Sequence, residues 1–248
     1  MKAMVLAAGL GTRLRPLTDT RPKALVEIGG RTLLEITLTR LQAFGVDEVI
    51  INVHHLADRI TEYLAANRNF GMRVEVSRED VLLDTGGGLK KAGWFFLEDV
   101  QRRDEPFFLH NVDVISTIDL GRLVEVHKAG RALSTLAVQR RNASRQLLFD
   151  KRFQLYGRRA GRDKDPEIVR PSPNLEALAF SGIHVISPRF LTLMTEQGVF
   201  SIIDVYLRLA GQGEHIQGQH VDDSYWRDLG KSEQLQQAEL DYQQGLFT

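Results

Sequence analysis

The sequence predicts an α/β fold with a mostly parallel sheet flanked by helices, and two patterns along the chain carry this prediction. In the first half, short apolar runs alternate with amphipathic stretches, which is typical of strand–helix units around a parallel sheet. The first apolar run leads directly into a glycine-rich loop. The chain has 248 residues, of which 43% are hydrophobic and 26% charged, so it can form one domain with a substantial core.

The elements of the first half follow from the spacing of apolar residues. Strands are predicted at residues 4–7, 48–53, 73–77, 107–109 and 133–138, and helices at 33–44, 57–66 and 120–129. Gly45 is a predicted C-cap, because glycine readily adopts the left-handed conformation that ends many helices. Asp119 is a predicted N-cap for the helix that begins at Leu120.

The character of the chain changes after about Arg140. Apolar residues 147–149 and 153–156 flank a polar turn and predict a hairpin, and residues 157–170 are so rich in charge that we expect a solvated loop. A strand at 177–185, two short helices, a further strand and a closing polar helix follow. The second half therefore adds strands and short helices to the same domain.

Composition excludes several classes of protein. Lys plus Arg and Asp plus Glu both number 32, and this balance argues against a general nucleic-acid or membrane-surface binder. The chain has no cysteine, so disulfides and thiolate metal sites are excluded. The apolar run near the N-terminus is too short for a signal peptide and no run has spanning length, so we expect a cytoplasmic protein without membrane contact.

The glycine-rich loop after the first strand indicates phosphate binding. Gly9 and Gly11 leave backbone N–H groups open to a phosphate, and Arg13 and Lys23 add positive charge. No Gly-Lys-Ser/Thr follows, which excludes a Walker A loop, and Leu14 stands where a Rossmann fingerprint needs its third glycine. Two glycines alone would more often mark an ordinary tight turn between strand and helix.

Two distant aspartates are candidate metal ligands. Asp113 follows an apolar strand, and Asp228 lies in the segment 226–230. Each could be a turn residue or an N-cap when considered alone. If the two converge beside the phosphate loop, they form the pair of carboxylates that Mg²⁺ uses when phosphate oxygens and waters complete its shell.

Two further glycine segments point to close backbone contacts. Gly86, Gly87 and Gly88 precede a probable helix, and a flexible start to that helix is the competing interpretation. Gly182 interrupts a strand, where a simple bulge is the alternative. His54 and His55 are adjacent on a strand and point to opposite faces, so we expect ordinary surface or packing histidines.

The string from Ala7 to Thr18, together with Pro22-Lys23, resembles the opening motif of sugar-1-phosphate nucleotidyltransferases. The chain is most similar to short single-domain members, such as the N-acetylmuramate-1-phosphate uridylyltransferases and the mannose-1-phosphate guanylyltransferase-like enzymes, and the similarity runs from Met1 to about Ala238. The resemblance implies the nucleotide-diphospho-sugar transferase fold in one domain: a nucleotide-binding half at 1–140, a sugar-binding half with a small insertion at 141–230, and a C-terminal helix at 231–248.

The resemblance also implies a role for each matching residue. Nucleotide-binding residues are Leu6, Ala7, Ala8, Gly9, Gly11, Thr12, Arg13, Lys23, Gly87 and Gly88; Arg13 and Lys23 are also catalytic; sugar-binding residues are Asn111, Ser181 and Gly182; Asp113 and Asp228 bind Mg²⁺. The chain departs from the family pattern at Val112, where a glycine is usual, and at Lys231, where a threonine is usual.

The implied reaction joins an NTP to a sugar-1-phosphate and releases pyrophosphate, for use in cell-wall or polysaccharide precursors. UTP with N-acetylmuramate-1-phosphate or a related hexose-1-phosphate is the first expectation, and GTP with mannose- or heptose-1-phosphate the second. A choline-phosphate cytidylyltransferase-like enzyme, a non-catalytic sugar-nucleotide sensor and a glycosyltransferase are the alternatives. The lack of a C-terminal β-helix makes a monomer or homodimer the expected assembly.

Overall fold

The computed structural model describes residues 1–99, 104–161, 164–172 and 174–247. Its strands are β1 (Lys2–Leu6), β2 (Glu27–Ile28), β3 (Arg31–Thr32), β4 (Glu48–Val53), β5 (Arg73–Arg78), β6 (Phe107–Asn111), β7 (Val114–Ser116), β8 (Ser134–Gln139), β9 (Arg145–Phe149), β10 (Leu155–Ala160), β11 (Glu167–Ile168), β12 (Glu176–Ile186), β13 (Ile216–His220) and β14 (Trp226–Asp228). Its α-helices are α1 (Leu33–Ala43), α2 (Ala57–Ala66), α3 (Asp84–Ala92), α4 (Trp94–Leu97), α5 (Leu120–Gly130), α6 (Arg189–Thr192), α7 (Ile202–Gly211) and α8 (Ser232–Gln243).

Successive residues of the central strands face opposite sides of the sheet, and each side buries its own apolar layer. In β1, Ala3 and Val5 join one layer and Met4 joins the other. Helices α1, α2, α5 and α8 contribute to the first layer, and α3, α4, α6 and α7 contribute to the second. The near-continuous apolar runs of these strands therefore reflect burial on both faces.

The central sheet is mixed and mostly parallel, as the sequence predicts. Strands β6, β1, β4 and β5 are mutually parallel neighbours, β12 pairs antiparallel with both β6 and β8, and β13 is parallel to β8. The start of β12 pairs instead with β9, which extends the sheet into the antiparallel β9–β10–β11 ribbon. Because four central strands run parallel, their carboxyl ends meet at one edge of the sheet, where ligands bind in open α/β folds.

Local sequence signals place many elements correctly. Strand β4 and helix α2 have the predicted bounds, and the hairpin is confirmed as β9 and β10. The Asp119 side chain accepts a hydrogen bond from the Arg122 amide at 2.9 Å, which confirms the predicted N-cap of α5. Gly45 has a φ of 78°, as expected for a residue that ends α1 in the left-handed conformation.

The solvated loop predicted at 157–170 is wrong in part. Strand β10 continues to Ala160, and β11 pairs with Gly157 and Arg158, while residues 162 and 163 lie outside the described residues. Strands β10 and β11 lack the apolar residues that predict a strand from sequence, because charged pairs replace apolar contacts there. Arg158 forms ion pairs with Glu167 at 2.7 Å and with Asp204 of α7 at 2.5 Å.

Among the described residues, each helix is too short or too polar to form a membrane span.

Three buried histidines make the stability of the fold sensitive to acid. Burial lowers the pKa of His110 and of His127 to about 4, and that of His184 to about 3, from an ordinary value of 6.5. Because the folded pKa values are depressed, the stabilisation is complete above pH 6.5 and is lost as pH falls toward the folded values. We expect urea titrations to show the free energy of unfolding falling from pH 6.5 to 4, by about 1.4 kcal/mol per pH unit for each proton taken up.

Two histidine variants test whether the buried histidines cause the acid sensitivity of the free energy of unfolding. The His127→Gln variant should show a shallower decline, since one titrating group is removed, whereas the variant of exposed His55, His55→Gln, should keep the wild-type slope. A pH-independent free energy of unfolding between pH 6.5 and 4 would contradict the assignment.

Candidate active site

The loop after β1 is fixed by a left-handed glycine. Gly11 has a φ of 65°, its carbonyl accepts hydrogen bonds from the Thr18 hydroxyl and the Leu14 amide, both at 2.8 Å, and a Cβ added there would lie 2.9 Å from Thr18 Cγ2. The turn leads into a short 3₁₀ helix, Thr12–Leu14, which leaves Thr12 and Arg13 exposed at the rim. The glycine-rich loop therefore presents an arginine beside an open backbone, as the sequence predicts.

A buried polar network holds this loop against the next strands. Asn52, at the end of β4, accepts a hydrogen bond from the Ala7 amide at 2.8 Å and donates to Glu79 at 2.7 Å. Glu79 in turn accepts from the Leu83 amide at 2.9 Å, just before α3. Asn52 and Glu79 are only 3% and 4% exposed. Our sequence reasoning missed both residues, although a polar side chain closing an apolar strand was the available signal.

This network is the floor of cleft A, a cavity of about 360 Å³ at the carboxyl edge of the sheet. Its lining includes Leu6, Ala8, Gly9, Asn52, Asn111 and Asp113. The start of α3 contributes Asp84 and Thr85. Its volume lies in the range of small-ligand sites, and five of the predicted nucleotide, sugar and metal residues line it.

The three consecutive glycines lie inside α3, and not before a helix as predicted. A Cβ would lie 2.5 Å from Phe200 Cδ2 at Gly86, 2.6 Å from the Gly198 carbonyl at Gly87, and 2.8 Å from both Asn52 Nδ2 and Glu79 Oε1 at Gly88. The space that the missing side chains leave open is therefore filled by other groups of the protein. Contact of Gly87 and Gly88 with a nucleobase stays a prediction.

The Gly88→Ala variant should be less stable than the wild type. Its Cβ would intrude on the Asn52–Glu79 hydrogen bond, and overpacking together with a disturbed buried hydrogen bond outweighs the roughly 1 kcal/mol that alanine contributes as a better helix former. We expect a net loss of about 2 kcal/mol in urea unfolding. Gly9→Ala is the matched control, because no atom lies within 4 Å of its added Cβ. Equal midpoints for the two variants would contradict this packing argument.

The predicted catalytic and metal residues come together around Asp113, which lines cleft A. Lys23 forms an ion pair with Asp113, and their side chains are 10% and 22% exposed. Strand β14 pairs with β7 so that Asp228 lies opposite Val114, and the Leu229 amide bonds the Asp113 carbonyl at 2.9 Å. Asp113, in the turn before β7, therefore lies beside Asp228, at the end of β14, although 115 positions separate them in the sequence.

Gly230 leaves room for Arg13 to lie beside Asp228. Its amide donates to Asp228 Oδ1 at 2.7 Å, and a Cβ added there would lie 2.6 Å from Arg13 Nη2 and 2.7 Å from Asp228 Oδ1. Only glycine leaves room for the guanidinium and the carboxylate on either side of this turn. Arg13, Lys23, Asp113 and Asp228 thus form one charged group at the edge of the sheet.

The carboxylates of Asp113 and Asp228 fit a magnesium ion that is also bound by phosphate oxygens of the substrate. Within the described ranges, no group of three or more His, Cys, Asp or Glu side chains could hold a metal by itself. Mg²⁺ commonly takes one or two carboxylates and fills its octahedron with phosphate oxygens and waters. Asp113, in the turn before β7, and Asp228, at the end of β14, supply that donor set.

Cleft B, about 660 Å³, opens on the other side of Asn111. Its lining includes Arg13, Asn111, Arg141, Gly182, Trp226 and Lys231. The Arg141 guanidinium lies 3.7 Å from the centre of the Trp226 ring and donates to the Phe180 carbonyl at 2.6 Å. Burial lowers the pKa of Arg141, while the Asp228 charge acts in the opposite direction. This arginine was absent from the sequence predictions because only the tertiary fold brings it to the cleft.

The predicted sugar residues occupy different positions around cleft B. Gly182 has a φ of 76°, and a Cβ there would lie 2.9 Å from both Asn111 Nδ2 and Val114 Cγ2, so glycine is needed beside Asn111. Ser181 is fully buried, with its hydroxyl 3.4 Å from Gln139 and its carbonyl accepting from the Trp226 indole at 2.7 Å. Its main chain orients Trp226, and direct contact of its hydroxyl with a sugar stays a prediction.

The two departures from the family pattern lie in different environments. The Val112 side chain is 5% exposed and packs in the first apolar layer, and its amide bonds the Leu6 carbonyl at 3.1 Å. Val112 is therefore a core residue and is not part of the lining of cleft A. Lys231 is exposed at the rim of cleft B, and no side chain caps α8 at this position.

Cleft C, about 610 Å³, lies between the β9–β10 hairpin and the first turn of α7. Its lining includes Asp84, Asn111, Arg145, Arg158, Phe180 and Asp204. Asn111 lines clefts A, B and C, which places this side chain at the junction of all three.

Comparison with known proteins agrees with this geometry. A family model for nucleotidyl transferases matches residues 2–146. The chain is 36% identical over 218 residues to the N-acetylmuramate alpha-1-phosphate uridylyltransferase of Caulobacter vibrioides, a match that covers 85% of each protein. It is 28% identical to the mannose-1-phosphate guanyltransferase of Yarrowia lipolytica, over 93% of this chain and 61% of that enzyme. The structure of HddC from Yersinia pseudotuberculosis complexed with GMP-PN has the same fold, with a TM-score of 0.75 and 20% identity over 97% of this chain and 99% of that chain.

Proposed function

The chain belongs to the nucleotidyl transferase family and is a sugar-1-phosphate nucleotidyltransferase, and we propose that it transfers UMP from UTP to N-acetylmuramate-1-phosphate or a related hexose-1-phosphate. The products are the UDP-sugar and pyrophosphate. One observation carries the proposal: Arg13, Lys23, Asp113 and Asp228 converge where cleft A and cleft B meet. A nucleoside triphosphate in cleft A and a sugar phosphate in cleft B would place their phosphates among these four side chains.

The proposed reaction is an in-line attack by a sugar-phosphate oxygen on the α-phosphorus of the NTP. The new P–O bond forms as the bond to pyrophosphate breaks, and the attacking phosphate is already ionised at neutral pH, so no general base is needed. Positioning and charge neutralisation dominate such transfers. Arg13 stabilises the departing pyrophosphate, and Lys23 offsets the charge that develops on the α-phosphate.

Magnesium belongs to this proposal, with Asp113 and Asp228 as its protein ligands. When bound, the ion neutralises phosphate charge and orients the reacting groups. Lys23 forms an ion pair with Asp113, so the ammonium would lie beside the ion and the phosphates that it neutralises.

The choice of base follows the relatives. The Caulobacter enzyme, which matches along most of both chains, is named for uridylyl transfer to N-acetylmuramate alpha-1-phosphate. GTP with mannose- or heptose-1-phosphate is the second candidate, favoured by the guanyltransferase relative and by the GMP-PN complex of HddC.

The alternative functions make different demands on the site. A glycosyltransferase binds a finished sugar nucleotide and needs no group for pyrophosphate, so Arg13 beside Asp228 argues against it. A non-catalytic sensor has no need for the convergence of all four charged residues. A choline-phosphate cytidylyltransferase-like enzyme would keep them and stays the alternative within the enzyme class. A cytoplasmic location and a monomeric or dimeric state stay predictions.

A pyrophosphate-release screen tests the proposal. Purified protein with Mg²⁺ would be assayed with UTP, GTP, CTP, ATP and dTTP, each against a panel of sugar-1-phosphates and choline phosphate. Release with UTP and a hexosamine-1-phosphate is the expected result. Release confined to GTP, or to CTP with choline phosphate, would replace the proposed substrates, and silence with every pair while NTP binding persists would favour the sensor.

A further inference from the structure

Cleft C is positioned to receive a substituent of the sugar. It shares Asn111, Arg145 and Phe180 with cleft B, so the two cavities adjoin along these side chains. Arg13 and Asp228, which belong to the charged group proposed to hold the phosphates and the metal, line cleft B and do not line cleft C. A sugar whose 1-phosphate points to that charged group therefore directs its opposite side toward cleft C.

Among the described residues, three arginines line cleft C, namely Arg145, Arg158 and Arg159, and of these it is Arg145 that also lines cleft B. Arg158 is neutralised by Glu167 and Asp204. Arg145 lies opposite Ala160 in the hairpin, on the same face as Arg158, and within the described part of the chain it forms no ion pair. In cleft B, Arg141 is held by Trp226 and the Phe180 carbonyl. Arg145 is therefore the arginine at the junction of clefts B and C that is open to a ligand.

We propose that Arg145 determines acceptor specificity by binding a carboxylate carried by the acceptor sugar. A guanidinium forms paired charge-assisted hydrogen bonds with a carboxylate, and its planar fork favours this group over a neutral hydroxyl. The proposal rests on the proposed function and narrows its substrate class. N-acetylmuramate-1-phosphate carries such a carboxylate on its lactyl ether, whereas N-acetylglucosamine-1-phosphate has the same ring and amide without it.

The test compares these two acceptors with UTP in the wild type and in Arg145→Gln. The readout is the ratio of kcat/KM for the carboxylate-bearing acceptor to that for the neutral one. We expect the wild type to prefer N-acetylmuramate-1-phosphate and the Arg145→Gln variant to lose about 10- to 100-fold in this ratio. Arg152→Gln, an exposed arginine in the turn of the same hairpin, is the matched control and should keep the wild-type ratio.

The possible outcomes distinguish a wrong role for Arg145 from a wrong proposed function. Turnover of both acceptors with an unchanged ratio in Arg145→Gln would overturn the role of Arg145 and leave the proposed function standing. A loss of activity that is equal for both acceptors would also overturn it, since this result indicates a general effect on the sugar site or on folding. No pyrophosphate release from UTP with any acceptor would remove the proposed function, and with it this inference.

Discussion

The Lys23→Ala variant should lose two to three orders of magnitude in kcat while KM for UTP changes only several-fold. Lys23 lies beside Asp113 with its side chain 10% exposed, so its ammonium acts in a largely water-excluded site. Positioned charges of this kind contribute most where charge develops in the transition state, and losing one such donor costs about 100- to 1,000-fold in kcat. Steady-state rates of pyrophosphate release at saturating Mg²⁺ measure both constants.

Two variants make the Lys23 experiment specific. Arg21→Ala removes an exposed neighbouring charge that pairs only loosely with Glu27, at 3.4 Å, and should leave kcat within about twofold of the wild type. Lys23→Arg keeps the charge and should recover part of the lost rate. If Lys23→Ala raised KM without lowering kcat, Lys23 would contribute equally to ground-state and transition-state binding, and its assignment as a catalytic group would be wrong.

Local patterns in the sequence predict most of the sheet and one side of the active site. Strand β4, helix α2, the cap at Asp119 and the β9–β10 hairpin all depend on residues close in the sequence, and all are confirmed. The pairing of Asp113 with Asp228 was a hypothesis from two separate motifs. The β7–β14 pairing places Asp228 opposite Val114, directly beside Asp113 in the preceding turn.

The features missed by sequence reasoning depend on long-range packing. Position 88 of α3 requires glycine because Asn52 and Glu79 fill the space where a side chain would lie. No local pattern in the sequence reveals that contact. The buried position of the Ser181 hydroxyl near Gln139 likewise depends on strands that are distant in the sequence. Arg145 looks like any surface arginine until the fold places it between clefts B and C.

Replacing either aspartate should lower kcat/KM by about three orders of magnitude, and replacing both should cost little more than replacing one. Asp113→Asn and Asp228→Asn each keep the shape of the side chain but remove a charge that offsets the metal, and a catalytic ion contributes several kcal/mol. In Asp228→Asn the amide oxygen can still accept from Gly230, so the turn beside Arg13 should remain folded. Residues that hold one ion act as a unit, and for this reason their effects are not additive.

Initial rates over a wide range of Mg²⁺ concentrations would separate metal affinity from other losses. Both single variants should need more Mg²⁺ than the wild type, whereas Asp223→Asn, an exposed aspartate just before β14, should follow the wild-type curve. Asp113→Asn also removes the partner of Lys23, so a larger loss there than in Asp228→Asn would show that the carboxylate positions the lysine as well as the ion. Additive losses in the double variant, with an unchanged Mg²⁺ requirement in each single one, would mean that the two carboxylates do not share a metal.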